Sequence, residues 1–423
     1  MEEAVRDSTT SPVRQLLADR NFRRFWIAQL LYTGVNGTLR FTFVWLVVTL
    51  TDWPSAEGLV AIALGLPAML LSLPAGAWSD RVDRKRLFII WTGATIVALA
   101  AFTAAIALGR VTTVWVGVAA LIIGTVSTIN LPNIQAMVPL LVPPERLMNA
   151  AALQNGGGQG ANFAGLAIGG VAIGLFGDAG GFGLLTIVAV VALLLMLGVD
   201  IPSAADDHGT ADDSAKASIE GEAEPMLASI IAGARFGLSR DPLRTLLLLA
   251  ALLGGSFSVM QVSMPRVVDE VYGRGPAAAG FVLGAFGVGM LASSAVVAGR
   301  HSMCHGLNVA RYIGVGLGMG QFLLSLAPNL WVALAVMAAW GVNAGVAMAS
   351  HRTLIQSNTP PAMMGRVMGL MMLGFAGALP IGALVSSVLA PQLGPVLTMR
   401  WVGLGAIAIG IALTWRRPIT SLR

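Results

Sequence analysis

Few residues in this chain are placed to do chemistry, and the most isolated of them is Arg40, set in an apolar stretch running from about 23 to 50. An ionisable side chain in an apolar run of that length is a functional candidate by default, because a charge at a bilayer centre costs about 2.5–3.5 kcal/mol on insertion scales. A planar guanidinium there can grip an anionic or electron-rich group of a solute through paired hydrogen bonds. It can also snorkel to the headgroups on its long stem. Amides share its depth: Gln29 and Asn36 in the same stretch, Asn130 and Asn133 within 113–138, Asn155 and Asn162 within 148–175, and Gln261 and Asn343 further on. Each can hold solute or join two helices by a hydrogen bond. The 21 acidic residues, by contrast, fall at termini, in connections or near the ends of apolar stretches. Asp269 and Glu270, just after Arg266, come nearest to an apolar stretch and are weak candidates for carrying a coupling ion.

Other chemistries find little support. His208, His301, His305 and His351 lie in or beside polar connections and share no ligand-spaced helix face. His301, Cys304 and His305 could chelate a metal, but a solvated loop explains them more simply, so no metal and no cofactor is expected. A single cysteine excludes an intrachain disulfide. Gly156-Gly157-Gly158-Gln159-Gly160 lacks the Lys-Ser/Thr of a phosphate loop and lies inside an apolar stretch, which argues against ATP hydrolysis. No catalytic constellation is found, so the chain does not read as an enzyme.

The elements that must position Arg40 and the amides follow from composition. The chain of 423 residues is 56% hydrophobic and 11% charged, with a mean hydropathy of +0.78. Soluble domains carry about 25% charged residues, so this chain has too little polar surface to face water on all sides. Apolar spans of about 20 residues, the length that crosses a hydrocarbon core about 30 Å thick, fall near 23–50, 58–79, 87–109, 113–138, 148–175 and 181–199. They resume near 243–268, 277–299, 309–328, 331–351, 366–390 and 396–415. The expected fold is an all-α membrane protein with twelve transmembrane helices in two pseudo-symmetric six-helix halves, residues 1–200 and 226–423. Residues 201–225, rich in Asp, Glu, Ala, Ser and Gly, read as an acidic disordered linker. The segment 226–240 reads as an amphipathic helix along the membrane face.

Charge sets the orientation. Of 26 basic residues, Arg110, Arg266, Arg274 and Arg400 lie on one side and Arg40 within a span, leaving 21 on the side of the termini. By the positive-inside rule that side is cytoplasmic. The net charge of +5 is thereby explained without a nucleic-acid partner. The halves echo one another: Arg20-Asn21-Phe22-Arg23-Arg24 opens the first and Arg240-Asp241-Pro242-Leu243-Arg244 the second, and Pro143-Pro144 matches Pro360-Pro361. Two joined six-helix halves are the layout of transporters that bind solute between the halves.

The connection after the second span reads Gly76-Ala77-Trp78-Ser79-Asp80-Arg81-Val82-Asp83-Arg84-Lys85-Arg86. It resembles the major facilitator superfamily pattern G-x-L-A-D-R-x-G-R-K, matching at Gly76, Asp80, Arg81, Arg84 and Lys85 and departing at Trp78, Ser79 and Asp83. The resemblance implies a cytoplasmic gate in which Asp80 meets the N-terminus of the eleventh helix near Gly365 and Arg366. Read from the residues alone, the same loop is a basic cluster that sets topology. Ala161-Asn162-Phe163-Ala164-Gly165-Leu166-Ala167-Ile168-Gly169-Gly170 is similar to an element of drug and metabolite antiporters, with Gly165, Gly169 and Gly170 as packing positions. Pro139–Leu153 and Thr353–Leu370 resemble the enterobactin-exporter-like and macrolide-efflux branch. The resemblance implies a secondary active exporter of a small amphipathic metabolite, siderophore or drug, resident in the cell membrane, with H+ as the expected driving ion and a monomer as the expected state. An importer of a small organic anion remains open, as does a membrane-embedded receptor, for which no sensing domain is found.

The orientation is testable at once. Cysteines placed at Ser55 and Ser218 are expected to differ toward an impermeant thiol reagent in intact cells, the former reacting and the latter not. Labelling at position 218 of sealed cells would reverse the assignment.

Overall fold

In a computed structural model the chain is described over residues 12–53, 55–79, 83–200, 235–298, 309–360 and 363–415, and no strand occurs among these residues. Eleven helices follow in order. In a first group, α1 is Pro12–Ala18, α2 Arg20–Leu50, α3 Ser55–Ser79, α4 Arg84–Ala107, α5 Thr113–Leu141 and α6 Leu147–Leu197. In a second group, α7 is Asp241–Glu270, α8 Pro276–Ala298, α9 Gly316–Leu324 (entered through a π-helical turn, Ala310–Val315), α10 Leu330–Ser357 and α11 Met364–Trp415. The start α1, the π turn and the shortness of α9 were not foreseen. The acidic linker lies outside the described residues, and of the expected amphipathic helix residues 235–239 are helical while the rest lies outside them.

Local sequence fixes where helices begin. Asp19 accepts from the backbone N–H of Asn21 and Phe22 at 2.7 and 3.0 Å, capping α2. Asp83 accepts from Arg86 at 2.7 Å, and Asn329 from Val332 at 3.0 Å, capping α4 and α10 in the same way. Side-chain oxygens at this position satisfy N–H groups that the first turn leaves orphaned. The 51 residues of α6 would run roughly 77 Å if straight, far longer than a core about 30 Å thick. It bends at Gly177, whose φ of 70° is open to glycine, and α11 bends at Gly394 with φ of 78°. Each is therefore two helices meeting at a corner.

Among the described residues seven helices are long and apolar enough to cross a membrane, both bent ones included. The long helix α2 is not one of them, because Asn36, Arg40 and its other polar residues lower its hydropathy. Exposed large apolar side chains ring the bundle, including Leu70, Val97, Leu175, Leu194, Val288 and Trp401. In water such a surface would be a liability; in lipid it is the solvent-matched face.

Within each group, helices approach through small residues. A Cβ on Gly165 of α6 would lie 2.3 Å from the Gly34 carbonyl oxygen of α2, and one on Gly169 would lie 2.4 Å from the methyl group of Thr38. Thr38 Oγ1 donates to the Gly165 carbonyl at 2.7 Å across the same crossing. The groups meet along α6–α8 and α3–α11. A Cβ on Gly170 would come within 2.3 Å of the Pro276 carbonyl oxygen, and one on Gly58 within 2.5 Å of Ser387. Phe41, Trp45 and Phe163 of the first group share one core with Met260, Met264 and Phe286 of the second.

Gly165 offers a clean test because its contact is internal to one group. Gly165→Ala is expected to cost about 1–3 kcal/mol through overpacking, read as a lower Tm of the purified protein. Gly160→Ala on the same helix, where nothing stands within 4 Å, should be neutral or slightly stabilising. Equal Tm values would show that the crossing is not tightly packed.

Candidate functional site

Two polar constructions interrupt the apolar interior. One lies inside the first group, where α2 and α5 run antiparallel. Gln29, Tyr32 and Asn36 are spaced by three and four along α2 and so share a face, level with Asn133, Asn130 and Ser127 on α5. At the first tier the Ser127 hydroxyl donates to Asn36 Oδ1, and Asn36 Nδ2 donates to the Tyr32 carbonyl at 2.9 Å. At the second, the Tyr32 ring packs 5.5 Å from Phe88, and Asn130 Nδ2 donates to Thr92 Oγ1 of α4 at 3.3 Å. At the third, Gln29 Nε2 donates to the Gln154 carbonyl and Gln154 Nε2 to the Ile134 carbonyl, both at 3.3 Å. Asn133 Nδ2 donates to the Arg84 carbonyl at 2.9 Å.

Arg40 stands one turn beyond Asn36, half-buried, and no hydrogen bond or ion pair ties it to another described residue. With about 100° per residue it emerges roughly 40° from Asn36 and roughly 100° from Phe41. Asn36 faces α5, and Phe41 faces the second group. The guanidinium thus leaves α2 between the face turned to α5 and the face turned to the second group.

The second construction joins the groups at the end of the bundle that carries the 51–54 and 271–275 connections, the far end from the N-terminus. Nε and Nη2 of Arg266 on α7 both lie 2.5 Å from Oε1 of Glu57 on α3. Nη1 donates to Glu270 at 2.9 Å, and Nη2 also reaches the Thr51 carbonyl at 3.1 Å. The side chains of Arg266 and Glu57 are only 5% and 3% exposed, whereas that of Glu270 is 46% exposed. Nearby, the Ser55 hydroxyl donates to the Ser387 carbonyl of α11 at 2.6 Å. A buried ion pair whose guanidinium makes four such contacts is costly to break by removing one partner, so it latches this end.

Glu57 was not singled out in the sequence, where it precedes an apolar stretch and reads as a membrane-surface carboxylate. Its signal lies only in pairing: an acid at the mouth of one span and Arg266 in the last turns of another, 209 positions away. Asp269, named with Glu270 as a coupling candidate, is exposed and has no part in this ion-pair network. His351, read as lying in or beside a connection, is instead buried in α10, with Nε2 2.8 Å from the Leu246 carbonyl of α7. The other three histidines and Cys304 lie outside the described residues.

The remaining candidates are scattered. Asn155 is exposed and donates to Ala151 of its own helix at 2.9 Å. Asn162 packs against Gly37, and Asn343 against Gly316 just after the π turn. Gln261 is half-buried on α7. Among the gate residues, Asp80 and Arg81 lie outside the described residues, as do the surroundings of Gly76 and Gly365. Arg84 donates to the Ala136 carbonyl, and Lys85 Nζ to the carbonyls of Leu197 and Val199 at 3.1 and 2.6 Å. These contacts brace the first group internally, with Lys85 at a helix C-terminus where a cation is favoured. Arg366 is half-buried beside Met363. Among the described residues no cluster of His, Cys, Asp and Glu could hold a metal ion.

A family model described as transmembrane secretion effector matches residues 8–421. The enterobactin exporter EntS of Escherichia coli O127:H6 is 25% identical over 361 residues, 84% of this chain and 82% of that protein. The same exporter from Shigella boydii serotype 18 is 26% identical over the same extent. Among solved structures, the nucleoside transporter NupG superposes with a TM-score of 0.68 over 93% of this chain and 97% of its own, at 14% identity. A bacterial homologue of the human lysosomal transporter Spinster, described as inward-facing and unoccupied, gives 0.66 over 95% and 97%, also at 14%. At that identity the structures speak for the fold.

The latch makes a direct prediction. Breaking a buried pair on one side costs about 3–5 kcal/mol, so Glu57→Gln should let the far end open. In a Cys304→Ser background, a cysteine at the fully buried Met264 should then react with an impermeant maleimide at least about tenfold faster, the factor that 1.4 kcal/mol produces. An unchanged rate would reduce the pair to a packing detail.

Proposed function

The chain belongs to the transmembrane secretion effector family of the major facilitator superfamily and is a membrane transporter, and on that premise we propose that it exports a small amphipathic solute by alternating access. Twelve spans in two six-helix halves serve this function, the corners at Gly177 and Gly394 making two spans of each bent helix. The observation that carries the reading is the closure of the far end. The far end is latched by Arg266 and Glu57 and zipped by Gly170 against α8, while Arg40 and the α2–α5 amides sit behind that closure. The bias of basic residues places the far end outside and the termini in the cytoplasm, so the conformation is one closed to the outside. Solute is then expected to load from the cytoplasm, as export requires.

Arg40 is the expected contact for an anionic or electron-rich group of the solute, with Asn36 the nearest amide to share it. Gln261 and Asn343 are the expected polar contacts from the other half, and Asn162 lines the α2–α6 crossing. Asp80 and Arg81, with Gly76, are expected to close the cytoplasmic side against Gly365 and Arg366 once the far end opens, since only one end need be sealed at a time. H+ is the expected driving ion; Glu57 and the water-exposed Glu270, both bound to Arg266, are better placed than Asp269 to sense it. The solute class is a siderophore, antibiotic or comparable metabolite. The named relatives are exporters, which does not favour import of an organic anion.

Inside-out membrane vesicles challenged with a metabolite panel, with and without an imposed pH gradient, test the proposal. Gradient-dependent accumulation is expected for the parent, a partial loss for Arg40→Lys, which keeps charge but not the planar fork, and a severe loss for Arg40→Met. Accumulation of no compound would sink the export reading; accumulation that Arg40→Met leaves intact would make Arg40 a snorkelling charge.

A further inference from the structure

The α2–α5 seam has a property that its hydrogen bonds alone do not explain. Every amide nitrogen in it donates to a protein acceptor: Gln29 to Gln154, Gln154 to Ile134, Asn133 to Arg84, Asn130 to Thr92 and Asn36 to Tyr32. For Gln29, Gln154, Asn133 and Asn36 the acceptor is a backbone carbonyl, so a flip would set oxygen against oxygen and forfeit the bond, which fixes the orientation of these amides; Asn130 turns its nitrogen to the Thr92 hydroxyl. What remains is a row of buried oxygens. Among the described residues no group donates to Gln29 Oε1, Asn130 Oδ1 or Asn133 Oδ1, and the Tyr32 hydroxyl is likewise unpaired. It lies beside Asn36, Ser127 and Asn130 but reaches none of them with hydrogen-bond geometry. All four side chains are at most 5% exposed.

Buried polar groups almost always find a partner, because an unmade hydrogen bond carries the full desolvation penalty. In lipid no bulk water offsets it. Four such atoms on adjoining turns of two facing helices are therefore a site rather than four accidents. Carbonyl oxygens accept and cannot donate, so the occupant must bring donors. It is not a bare cation: the seam contains no carboxylate, and the guanidinium groups of Arg40 and Arg84 flank its two ends, where like charge is repelled. It is not an anion, which the oxygens would repel.

We propose that the α2–α5 seam is a binding site for neutral O–H donors, held by Gln29, Tyr32, Asn130 and Asn133 and entered from Asn36. The inference rests on the transport reading, which puts Asn36 and Arg40 on the solute's path, and it adds a chemical class: hydroxyl groups, beside the electron-rich group taken by Arg40. Two sources supply that chemistry, ordered water and a hydroxylated arm of the solute. A water needs two to four polar partners, which adjoining tiers provide. A solute hydroxyl would displace such a water and reproduce its bonds.

Occupancy is measured without transport, so failure here and failure of the export reading are separable. The purified full chain in nanodiscs is exposed to radiolytic hydroxyl radicals, which label a buried aromatic ring only where an O–H donor such as bound water lies against it. Labelling of Tyr32 at a rate approaching that of the half-buried Tyr272, and well above that of the buried Phe43, assigns the site to water. If Tyr32 stays unlabelled, a rise in Tm with 7-hydroxycoumarin, absent with 7-methoxycoumarin and absent in Tyr32→Phe, assigns it to solute hydroxyl. In either case Tyr32→Phe, which keeps the ring against Phe88, lowers the Tm of the occupied protein. A Tyr32→Phe protein melting at or above the parent, or an unlabelled Tyr32 with no response to 7-hydroxycoumarin, overturns the assignment.

Discussion

Helices in a bilayer gain little by hiding apolar surface from one another, because the lipid is as apolar as a leucine side chain. What holds them is close contact between backbones, and in this protein nearly every crossing is made where glycine removes the side chain. Gly34, Gly37 and Gly165 bring α2 onto α6; Gly254, Gly255 and Gly382 bring α7 onto α11; Gly289 and Gly341 bring α8 onto α10; Gly314, Gly318, Gly403 and Gly410 bring the ninth segment onto the end of α11. At most of these points a Cβ would meet a neighbouring backbone atom closer than 3.0 Å, which real contacts essentially never show, whereas at Gly34, Gly255 and Gly314 it would meet one at 3.5, 3.7 and 3.2 Å. The same device operates between the groups at Gly170 and Gly280, where the contact must also be able to part. Small surfaces suit that task, since dispersion contacts between smooth backbones are lost and regained without rearranging rotamers.

Polar groups follow from the same solvent. A hydrogen bond or ion pair in the interior has no water to compete with it, and an unpaired group has none to relieve it. The two constructions here resolve this differently. The guanidinium of Arg266 has its donors matched by two carboxylates and a carbonyl, so the latch is complete within the protein and holds one end shut. The seam between α2 and α5 has a partner for each amide nitrogen and none among the described residues for three amide oxygens, which the proposed hydroxyl donor would complete. Arg40, between the seam and the crevice, is half-buried with no partner among the described residues. A closed far end and incomplete interior chemistry fit the carrier proposed above.

Much of this was legible in the sequence. The apolar spans, the echo between Arg20–Arg24 and Arg240–Arg244, and the one-sided basic residues follow from composition and period, because the lipid acts on each span separately and asks of it only length and apolarity. The charged loop around Asp80 carried the superfamily resemblance for the same reason: a local motif needs no partner to be read. Gln29, Asn36, Asn130, Asn133 and Arg40 stood out as polar residues in apolar surroundings, and the glycines of α6 stood out by spacing.

Partnership was not legible. Glu57 looks like an interfacial carboxylate until the fold sets it against Arg266, and His351 looks like a loop residue until α10 carries it beneath Leu246. Asn155 and Asn130 are the same residue type in similar spans, yet one faces outward and bonds to its own helix while the other is buried against α4. Hydropathy and motif act residue by residue along the chain, so the sequence by itself determined the all-helical membrane class, the family and the list of polar candidates. Burial and pairing depend on which helix faces which and at what rotation, a property of contacts between segments hundreds of positions apart. That decided which charges latch the far end, and which oxygens were left for a ligand.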